Sequence, residues 1–204
     1  MAIAFSAAAN TTSVLQASWT HTCGSSDTFL FVALHVFSGT PTVTYNGVSM
    51  TLGPNTGLIR TFYLFNPSAG ANTVAISGGT STDSVSASYT GTVTSALDAT
   101  GTDTQSGGTG SHTASLTTIA DNCWVIMAYT LDAPSTLNAG AGTVQRAFAS
   151  QSRSIAIFDN NSAKTPAGSV TLEATVGSAG SGSRWGKLSI APAASNNSNF
   201  LMLL

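Results

Sequence analysis

The clearest alternation of apolar and polar residues in the chain surrounds one dipeptide, Asn46-Gly47. Asn-Gly is the pair best suited to a two-residue type I′ turn, because both central residues of that turn need a positive φ. A turn at this position fixes the strand register, and the predicted cross-strand pairs are Val43–Met50, Thr44–Ser49 and Tyr45–Val48. One face of this hairpin is apolar and the other is polar, so the apolar face must pack on a second layer.

The rest of the chain continues in the same style, with apolar or alternating segments separated by Gly, Asn, Asp and Pro. Two segments, 28–37 and 123–130, are so apolar that we expect central strands buried on both faces. Further strands are predicted at residues 1–8, 13–21, 58–65, 73–77, 83–91, 114–120, 144–149, 154–158, 169–176 and 184–190. This pattern gives roughly ten to twelve short strands, which is typical of an all-β, antiparallel, two-sheet sandwich.

Residues 92–113 depart from the pattern, since few large apolar side chains follow Leu97. We interpret this segment as a long polar excursion over the surface. No segment combines a 3.6-residue apolar period with caps, so no helix is predicted.

We expect a single β-sandwich domain over residues 1–191, followed by a polar linker and an apolar C-terminal tail over residues 192–204. The tail consists of Phe200, Leu201, Met202, Leu203 and Leu204. Burying a large apolar side chain is worth ~1.5–3 kcal/mol, so these five residues should occupy a groove. They are therefore predicted to bind a partner or their own subunit, and the pattern leaves both alternatives open.

Composition narrows the classes of partner. Charged residues make up only 7% of the chain and the net charge is −2. The six basic residues are scattered singly, which argues against nucleic-acid binding. The longest apolar runs are far shorter than a membrane span, so we expect no membrane partner. The first residues lack the positive region of a signal peptide, which predicts a protein made in the cytoplasm of its host.

The histidines do not form a recognisable site. No HxH or HExxH spacing is present, so a metal site is not predicted. His35 lies in the apolar segment 28–37 and is interpreted as a hydrogen-bonded core residue. His112 follows a glycine-rich stretch and is expected to be solvated, and His21 lies at a strand end.

Carboxylates and nucleophiles point to no catalytic machinery either. Asp98, Asp103 and Asp121 are loosely grouped, and turn aspartates that bond their own backbone explain them more simply than a glycosidase pair or a calcium site. Asp159 and its two asparagine neighbours are likewise interpreted as a turn first and a metal loop second. The chain has no GxSxG motif, and no Gly-Lys-Ser/Thr follows its glycine-rich runs. We therefore predict a protein that is not an enzyme, with no catalytic residue, cofactor or metal ion.

The remaining candidates are cysteines and tryptophans. Cys23 and Cys123 are a hundred residues apart and are interpreted as separate thiols in or near strands rather than as a disulfide. Of the three tryptophans, Trp124 begins a core strand and should be packed inside. Trp185 falls on the strand face opposite Leu188 and Ile190, so we predict that it lies at the surface or at a subunit interface.

The order of segments resembles a broad group of β-sandwich proteins found in bacteriophage and environmental viral genomes. The segments that carry this resemblance are a SWTHT strand, a buried FLFVALHV strand, the VTYNGVSMT hairpin, an FYLFNPSAGANTVAIS segment and a VSASYTG strand. The resemblance covers roughly residues 12–191, and its most specific parts are the hairpin and the turn Asn66-Pro67-Ser68-Ala69-Gly70. The tail at residues 200–204 is not part of the shared pattern.

The resemblance implies a jelly-roll-like fold and a non-enzymatic structural role in the bacteriophage virion. The first hypothesis is a capsid decoration, or cement, protein on the outer surface of the particle. It would bind the major capsid protein or other virion proteins, act as a homo-oligomer, and use Trp185 and the tail as contacts. The second hypothesis is a receptor- or carbohydrate-binding module of a fibre or tail, whose partner is a glycan. A hydrolase on a sandwich scaffold is a third and weaker reading.

Overall fold

The computed structural model describes residues 1–194, which form fifteen β-strands in three antiparallel sheets. We call the seven-stranded sheet the front sheet, the five-stranded sheet the middle sheet and the three-stranded sheet the back sheet. Residues 1–194 contain no helix, and so none that is long and apolar enough to cross a membrane. The predicted all-β sandwich of antiparallel sheets is confirmed, whereas the third sheet was not predicted.

Each sheet combines strands that are distant in sequence. The front sheet contains β1 (Ala4–Asn10), β2 (Ser18–Cys23), β3 (Asp27–Tyr45), β4 (Val48–Ser49), β5 (Thr51–Thr56), β6 (Ile59–Phe65) and β7 (Gly70–Thr90). The middle sheet contains β8 (Ala99–Gln105), β10 (Trp124–Leu131), β12 (Val144–Ala149), β13 (Ser154–Asp159) and β15 (Ser183–Ile190). The back sheet contains β9 (Gly110–Thr117), β11 (Leu137–Ala139) and β14 (Ser169–Val176).

The middle sheet is covered on both faces, which accounts for its continuous apolar strands. All eight residues of β10 are buried. Ile126 and Ala128 belong to the main core between the front and middle sheets. Met127 and Tyr129 belong to a second core between the middle and back sheets. Because successive side chains on a strand point to opposite faces, an unbroken apolar run is what a doubly covered strand requires.

The front sheet bends over itself. β3 and β7 pair along most of their length, and the register shifts between His35 and Thr42. Beyond this bend, the distal halves of both strands pair with β2 and β4, and we call this part the ribbon. The ribbon residues Val43, Tyr45 and Val74 form a third core, which we call the ribbon core, with the outer face of the front sheet. The apolar face of the predicted hairpin thus packs on a layer built from its own strands.

The predicted hairpin is confirmed in detail. Asn46 and Gly47 have φ values of 50° and 76°, as a type I′ turn requires. The observed pairs are Thr44 with Ser49 and Tyr45 with Val48, and the Met50 amide donates to the Val43 carbonyl at 2.9 Å. Val43, Tyr45 and Met50 are buried, and Val48 at the tip is half exposed.

The prediction for residues 92–113 is wrong in its second half. This segment holds β8 and the start of β9, which pair with β15 and β14. Both strands alternate serine or threonine with Ala, Gly, Asp, Gln, His or Leu, and only Leu116 is a large apolar residue, so they show little of the apolar signal that marks a strand. Together with β11 and β14, β9 makes the sheet that covers the back of the molecule.

We expect Gly47→Ala to reduce the free energy of unfolding by about 1 kcal/mol, and Gly91→Ala to reduce it by about 1–3 kcal/mol more. Both glycines have a positive φ, of 76° and 72°. A Cβ on Gly47 would meet nothing within 4 Å, whereas a Cβ on Gly91 would lie 2.0 Å from the Ala2 carbonyl oxygen. Urea unfolding of the two variants measures this difference, and equal losses would contradict the contact argument.

Candidate functional site

The most catalytic-looking arrangement in the described residues surrounds His21. Its Nδ1 lies 2.9 Å from the Ser86 Oγ, which also accepts a hydrogen bond of 3.1 Å from the Trp19 indole. A serine beside a histidine is the geometry of an activated nucleophile. Here, however, the Ser86 hydroxyl donates to the Ala9 carbonyl at 3.2 Å, and both His21 and Ser86 have no exposed surface. The pair therefore holds β1, β2 and β7 together and offers no surface to a substrate.

The environment of His21 keeps its imidazole neutral. Burial lowers the pKa of His21 to about 4, and the nearby Asp27 carboxylate opposes this shift only partly. A neutral imidazole suits its position in the ribbon core, where it lies edge-on to Tyr45 at 6.4 Å.

His35 is a buried, hydrogen-bonded core residue, as predicted. Its Nδ1 lies 2.7 Å from the Thr130 Oγ1, and this hydroxyl donates to the Ser154 carbonyl at 2.8 Å. Its Nε2 lies 3.9 Å from a carboxylate oxygen of Asp132, which also accepts a hydrogen bond from Arg153. Burial lowers the pKa of His35 to about 4, more than Asp132 raises it. His35 thus links the front sheet to the middle sheet as a neutral imidazole, mainly through its hydrogen bond with the Thr130 hydroxyl.

The prediction that His112 is solvated is wrong. His112 is buried on β9, with its Nδ1 2.8 Å from the Tyr129 hydroxyl and 3.4 Å from the Ser183 Oγ. Burial raises the pKa of Tyr129 to about 12, so this residue remains a neutral phenol. His112 is inside because β9 belongs to the back sheet and directs this side chain toward the middle sheet.

Trp185 must also be corrected. The prediction placed it at a surface or interface, but it is 0% exposed and packs in the second core against Tyr129 and Phe158, with ring centroids 4.5 and 6.3 Å away. Its indole nitrogen donates to the Gln105 Oε1 at 3.3 Å. The strand face was predicted correctly, since Leu188 belongs to the opposite, main core. The error comes from the back sheet, which covers the face that a two-sheet sandwich would leave open.

The loosely grouped carboxylates act as structural acceptors, although two of them do so across long distances in sequence. Asp98 accepts hydrogen bonds from the backbone N–H groups of Ile119 and Ala120 and from the Ser189 hydroxyl. Burial opposes ionisation of Asp98, but these donors outweigh it and hold its pKa below the ordinary value.

The other two carboxylates, those of Asp121 and Asp103, differ in how far away in sequence their hydrogen-bond donors lie. Asp121 accepts from the Ala167 amide at 2.6 Å, and Asp103 alone bonds its neighbouring amide, that of Thr104, at 2.8 Å. The explanation as local turn aspartates is therefore wrong for Asp98 and Asp121, which bond distant backbone, and for Asp103 only the bond to a neighbouring amide is correct, because this residue lies within strand β8 rather than in a turn. Within residues 1–194, no three His, Cys, Asp or Glu side chains are placed to hold a metal ion.

The cysteines behave as predicted. Cys23 and Cys123 are both buried and free, in the ribbon core and just before β10. Burial raises the pKa of Cys123 to about 12, so its thiol stays protonated and unreactive at neutral pH.

An apolar groove opens where the beginning and end of the described chain meet. We call it the Trp124 groove. It has a volume of about 450 Å³ and is lined by residues 1–3, Asn122, Trp124, Ala163 and residues 192–194. Trp124 is packed inside, as predicted, and this residue and Ile3, which is also buried, form the inner wall of the groove. Four segments far apart in sequence build this groove, and no local motif could have indicated it.

A second cleft, of about 460 Å³, lies at the turn between β8 and β9, and we call it the β8–β9 cleft. Its lining is polar and comes entirely from residues 105–113, including Gln105, Ser111 and His112. Gln105 connects this cleft to the buried Trp185.

The geometry therefore offers an apolar groove, a hydroxyl-lined cleft and a set of buried, structural histidines. No known protein family, curated protein or solved structure matches this chain.

Proposed function

We propose that this protein is a non-enzymatic structural component of a bacteriophage particle, most specifically a decoration protein bound to the outside of the capsid shell. The observation that carries the proposal is that the two most specific motifs of the phage-type sequence pattern form one structural unit. These motifs are the Asn46-Gly47 hairpin and the turn that begins at Asn66 and Pro67.

The two motifs interlock through Tyr45. The Tyr45 hydroxyl lies 3.1 Å from the Ser68 carbonyl oxygen and 3.2 Å from that of Gly70, and it accepts a hydrogen bond from the Asn72 amide at 3.3 Å. Burial raises the pKa of Tyr45 to about 12, so the phenol is always available as a donor. The residues shared with the phage-type pattern thus define the scaffold. The unit formed by the hairpin and the turn therefore supports the proposed relation to the phage-type β-sandwich proteins.

The fate of the reactive side chains agrees with a structural role. His21, His35 and His112 are each buried and hydrogen bonded to a hydroxyl of a neighbouring strand. An enzyme would expose such histidines to its substrate, whereas here they join strands and sheets through hydrogen bonds.

In this proposal the protein binds the major capsid protein or other virion proteins and also sister copies of itself. Edge strands such as β5 and β12 present unpaired backbone groups for such contacts. Phe37 and Ile119 are large apolar residues that are 65% and 75% exposed. Many weak contacts of this kind, repeated over a symmetric shell, stabilise the particle without any single tight interface. The predicted contact tail at residues 200–204 lies outside the described residues.

The β8–β9 cleft favours a second candidate, a glycan-binding module of a fibre or tail. Its hydroxyl and amide groups are the kind that hydrogen bond to sugars, although its lining includes no aromatic side chain other than His112. Because Gln105 lies between the cleft and the Trp185 indole, a bound sugar would change Trp185 fluorescence. A saturable fluorescence change on titration with a polysaccharide would support this candidate, and no change would support decoration.

The copy number of the protein in purified particles tests the main proposal. Quantitative mass spectrometry should find it at a level comparable to that of the major shell protein. A few copies per particle would instead indicate a fibre or tail component. Absence from the particle would overturn both virion assignments.

A further inference from the structure

We propose that the Trp124 groove is the binding site of the apolar segment 200–204 of the same chain. The segment consists of one phenylalanine, one methionine and three leucines. This inference does not depend on the virion role, because it concerns the isolated chain.

The chemistry of the groove fits an apolar occupant. Of its lining side chains only that of Asn122 is polar. Its inner wall, Ile3 and Trp124, belongs to the main core, where the Trp124 ring packs edge-on against Tyr89 at 6.3 Å. Leucine or phenylalanine side chains placed here would continue the main core outward and remove apolar surface from water. The volume of about 450 Å³ lies within the ~300–1,000 Å³ range of pockets that enclose small ligands.

The last described residues of the chain lie at the groove. The chain reaches the groove in an ordered manner, since Thr92 pairs with Pro192 and the Ala193 amide donates to the Gly91 carbonyl at 2.8 Å. Ala194 itself lines the groove. The five residues 195–199, Ser-Asn-Asn-Ser-Asn, then separate it from Phe200.

The connector has the right length and composition for a return. Five residues span at most ~17 Å when extended, which is enough to leave the groove and come back. Asn and Ser are turn-forming residues, because their side chains bond the nearby backbone and asparagine tolerates a positive φ. The polar connector therefore favours a reversal that presents the apolar segment to the groove beside it.

The short connector also decides between the chain's own segment and that of a second copy. A short flexible linker gives an effective concentration in the millimolar range. At micromolar protein concentration, binding within one chain is then favoured over exchange between copies by roughly a thousandfold.

Nuclear magnetic resonance of the full chain with ¹³C-labelled methionine methyl groups tests the proposal directly. The chain has four methionines, of which only Met202 lies in the apolar segment. We expect nuclear Overhauser contacts between the Met202 methyl group and the Trp124 indole, together with an upfield methyl shift from the aromatic ring. A Met202 methyl signal at its unstructured position, with no such contact, would overturn the proposal.

Two matched variants separate occupancy of the groove from general effects. Ala163 is exposed and lines the groove, so Ala163→Glu places a charge where the apolar segment should bind. Ala179 is also exposed but lies in the loop before β15, so Ala179→Glu is the control. Only Ala163→Glu should return the Met202 signal to its unstructured position. An identical response of both variants would count against the groove as the site.

A mixed sample distinguishes the source of the segment. Equal amounts of methyl-labelled and unlabelled chains are combined, and isotope-filtered spectra then select contacts between different molecules. We expect the Met202 contact with Trp124 to be absent from the filtered spectrum. Its presence there would overturn binding within one chain and establish exchange between copies.

Discussion

Lowering the pH from 7 to 4 is expected to reduce the free energy of unfolding by up to about 6 kcal/mol, mainly because two histidines are buried in neutral form. Burial lowers the pKa of both His21 and His35 from 6.5 to about 4. Each such difference corresponds to about 3 kcal/mol, at 1.36 kcal/mol per pKa unit. Small domains have a total stability of only ~5–15 kcal/mol, so this loss would approach or reach unfolding.

The direction follows from the protons bound in each state. Above pH 6.5 both histidines are neutral in the folded and unfolded chains, so this contribution does not vary. Between pH 6.5 and 4 the unfolded chain binds two protons that the folded chain excludes, and stability falls as the pH falls. Below pH 4 both states are protonated and the loss is complete. The lowered pKa values of Asp98 and Asp132 add a further loss in still stronger acid.

The charged neighbours of the two histidines do not reverse this result. Asp27 raises the pKa of His21, and Asp132 and Asp83 raise that of His35, while Arg153 lowers it. In both cases desolvation is the largest contribution.

Urea unfolding at pH 7, 6 and 5 measures the effect. With both histidines titrating, the slope should approach about 2.7 kcal/mol per pH unit near pH 5. In His35→Gln one titrating group is lost, so the slope should fall to about half, whatever the stability of this variant at pH 7. A wild-type stability that is flat from pH 7 to 5, or a slope unchanged in His35→Gln, would contradict the argument.

The pattern of neighbouring residues was sufficient to predict two kinds of strand. The first kind has one buried and one exposed face, and the second kind is a continuous run of apolar residues. Asn46-Gly47 determined both the turn type and the register of its hairpin, because few other residue pairs adopt two positive φ angles. β10 was identified as a doubly buried strand from its composition alone, and the same holds for the first half of β3.

The back sheet was not predicted, although the sequence predicts β14 at its observed bounds and part of β9, because a weak apolar signal hid the first half of β9 and the pairing between these distant strands. β9 presents His112, Ala114 and Leu116 to the core, and only the last is a large apolar residue. This one omission produced two further errors. Without a sheet on that side, Trp185 was predicted to lie at a surface and His112 in solvent. The alternation along β15 was correct, but what covers each face depends on pairing between distant strands.

The Trp124 groove could not be predicted from neighbouring residues either, because it also depends on contacts between distant segments. The Trp124 groove forms where residues 1–3 meet Pro192 and where Ala163 approaches Asn122. None of these positions carries a motif, and each is ordinary in its own sequence context. Only the apolar composition of residues 200–204 indicated that a groove should exist, without indicating where.

Arg146→Met is expected to lower the free energy of unfolding by about 3–5 kcal/mol, because it leaves a fully buried carboxylate without its counter-charge. Arg146 binds Asp159 through two hydrogen bonds, of 2.7 Å from Nε and 3.0 Å from Nη2. The Asp159 side chain is 0% exposed, and that of Arg146 is 13% exposed. Methionine retains an unbranched apolar stem, so most of the loss should come from the unpaired charge.

The remaining partners of Asp159 cannot replace the guanidinium. The Tyr89 hydroxyl donates to Asp159 at 3.1 Å and the Asn161 amide donates at 2.9 Å. Both are neutral donors, since burial raises the pKa of Tyr89 well above its ordinary value. They stabilise a carboxylate by hydrogen bonding but supply no positive charge to offset its removal from water.

The double variant Arg146→Met/Asp159→Asn decides whether the unpaired charge is the cause. An asparagine at 159 is neutral, and its Oδ1 can still accept from the Asn161 backbone amide while its Nδ2 takes the position next to Tyr89 and donates to the hydroxyl oxygen. The double variant should therefore be more stable than Arg146→Met alone, although it carries one more substitution. Arg184→Met is the matched control, since Arg184 is half-buried, donates to the Ser183 carbonyl and pairs with no carboxylate in residues 1–194. Urea unfolding of the wild type, Arg146→Met, Asp159→Asn and the double variant gives the coupling energy, with Arg184→Met measured beside them. Losses that simply add would show that packing rather than charge holds this corner of the main core together.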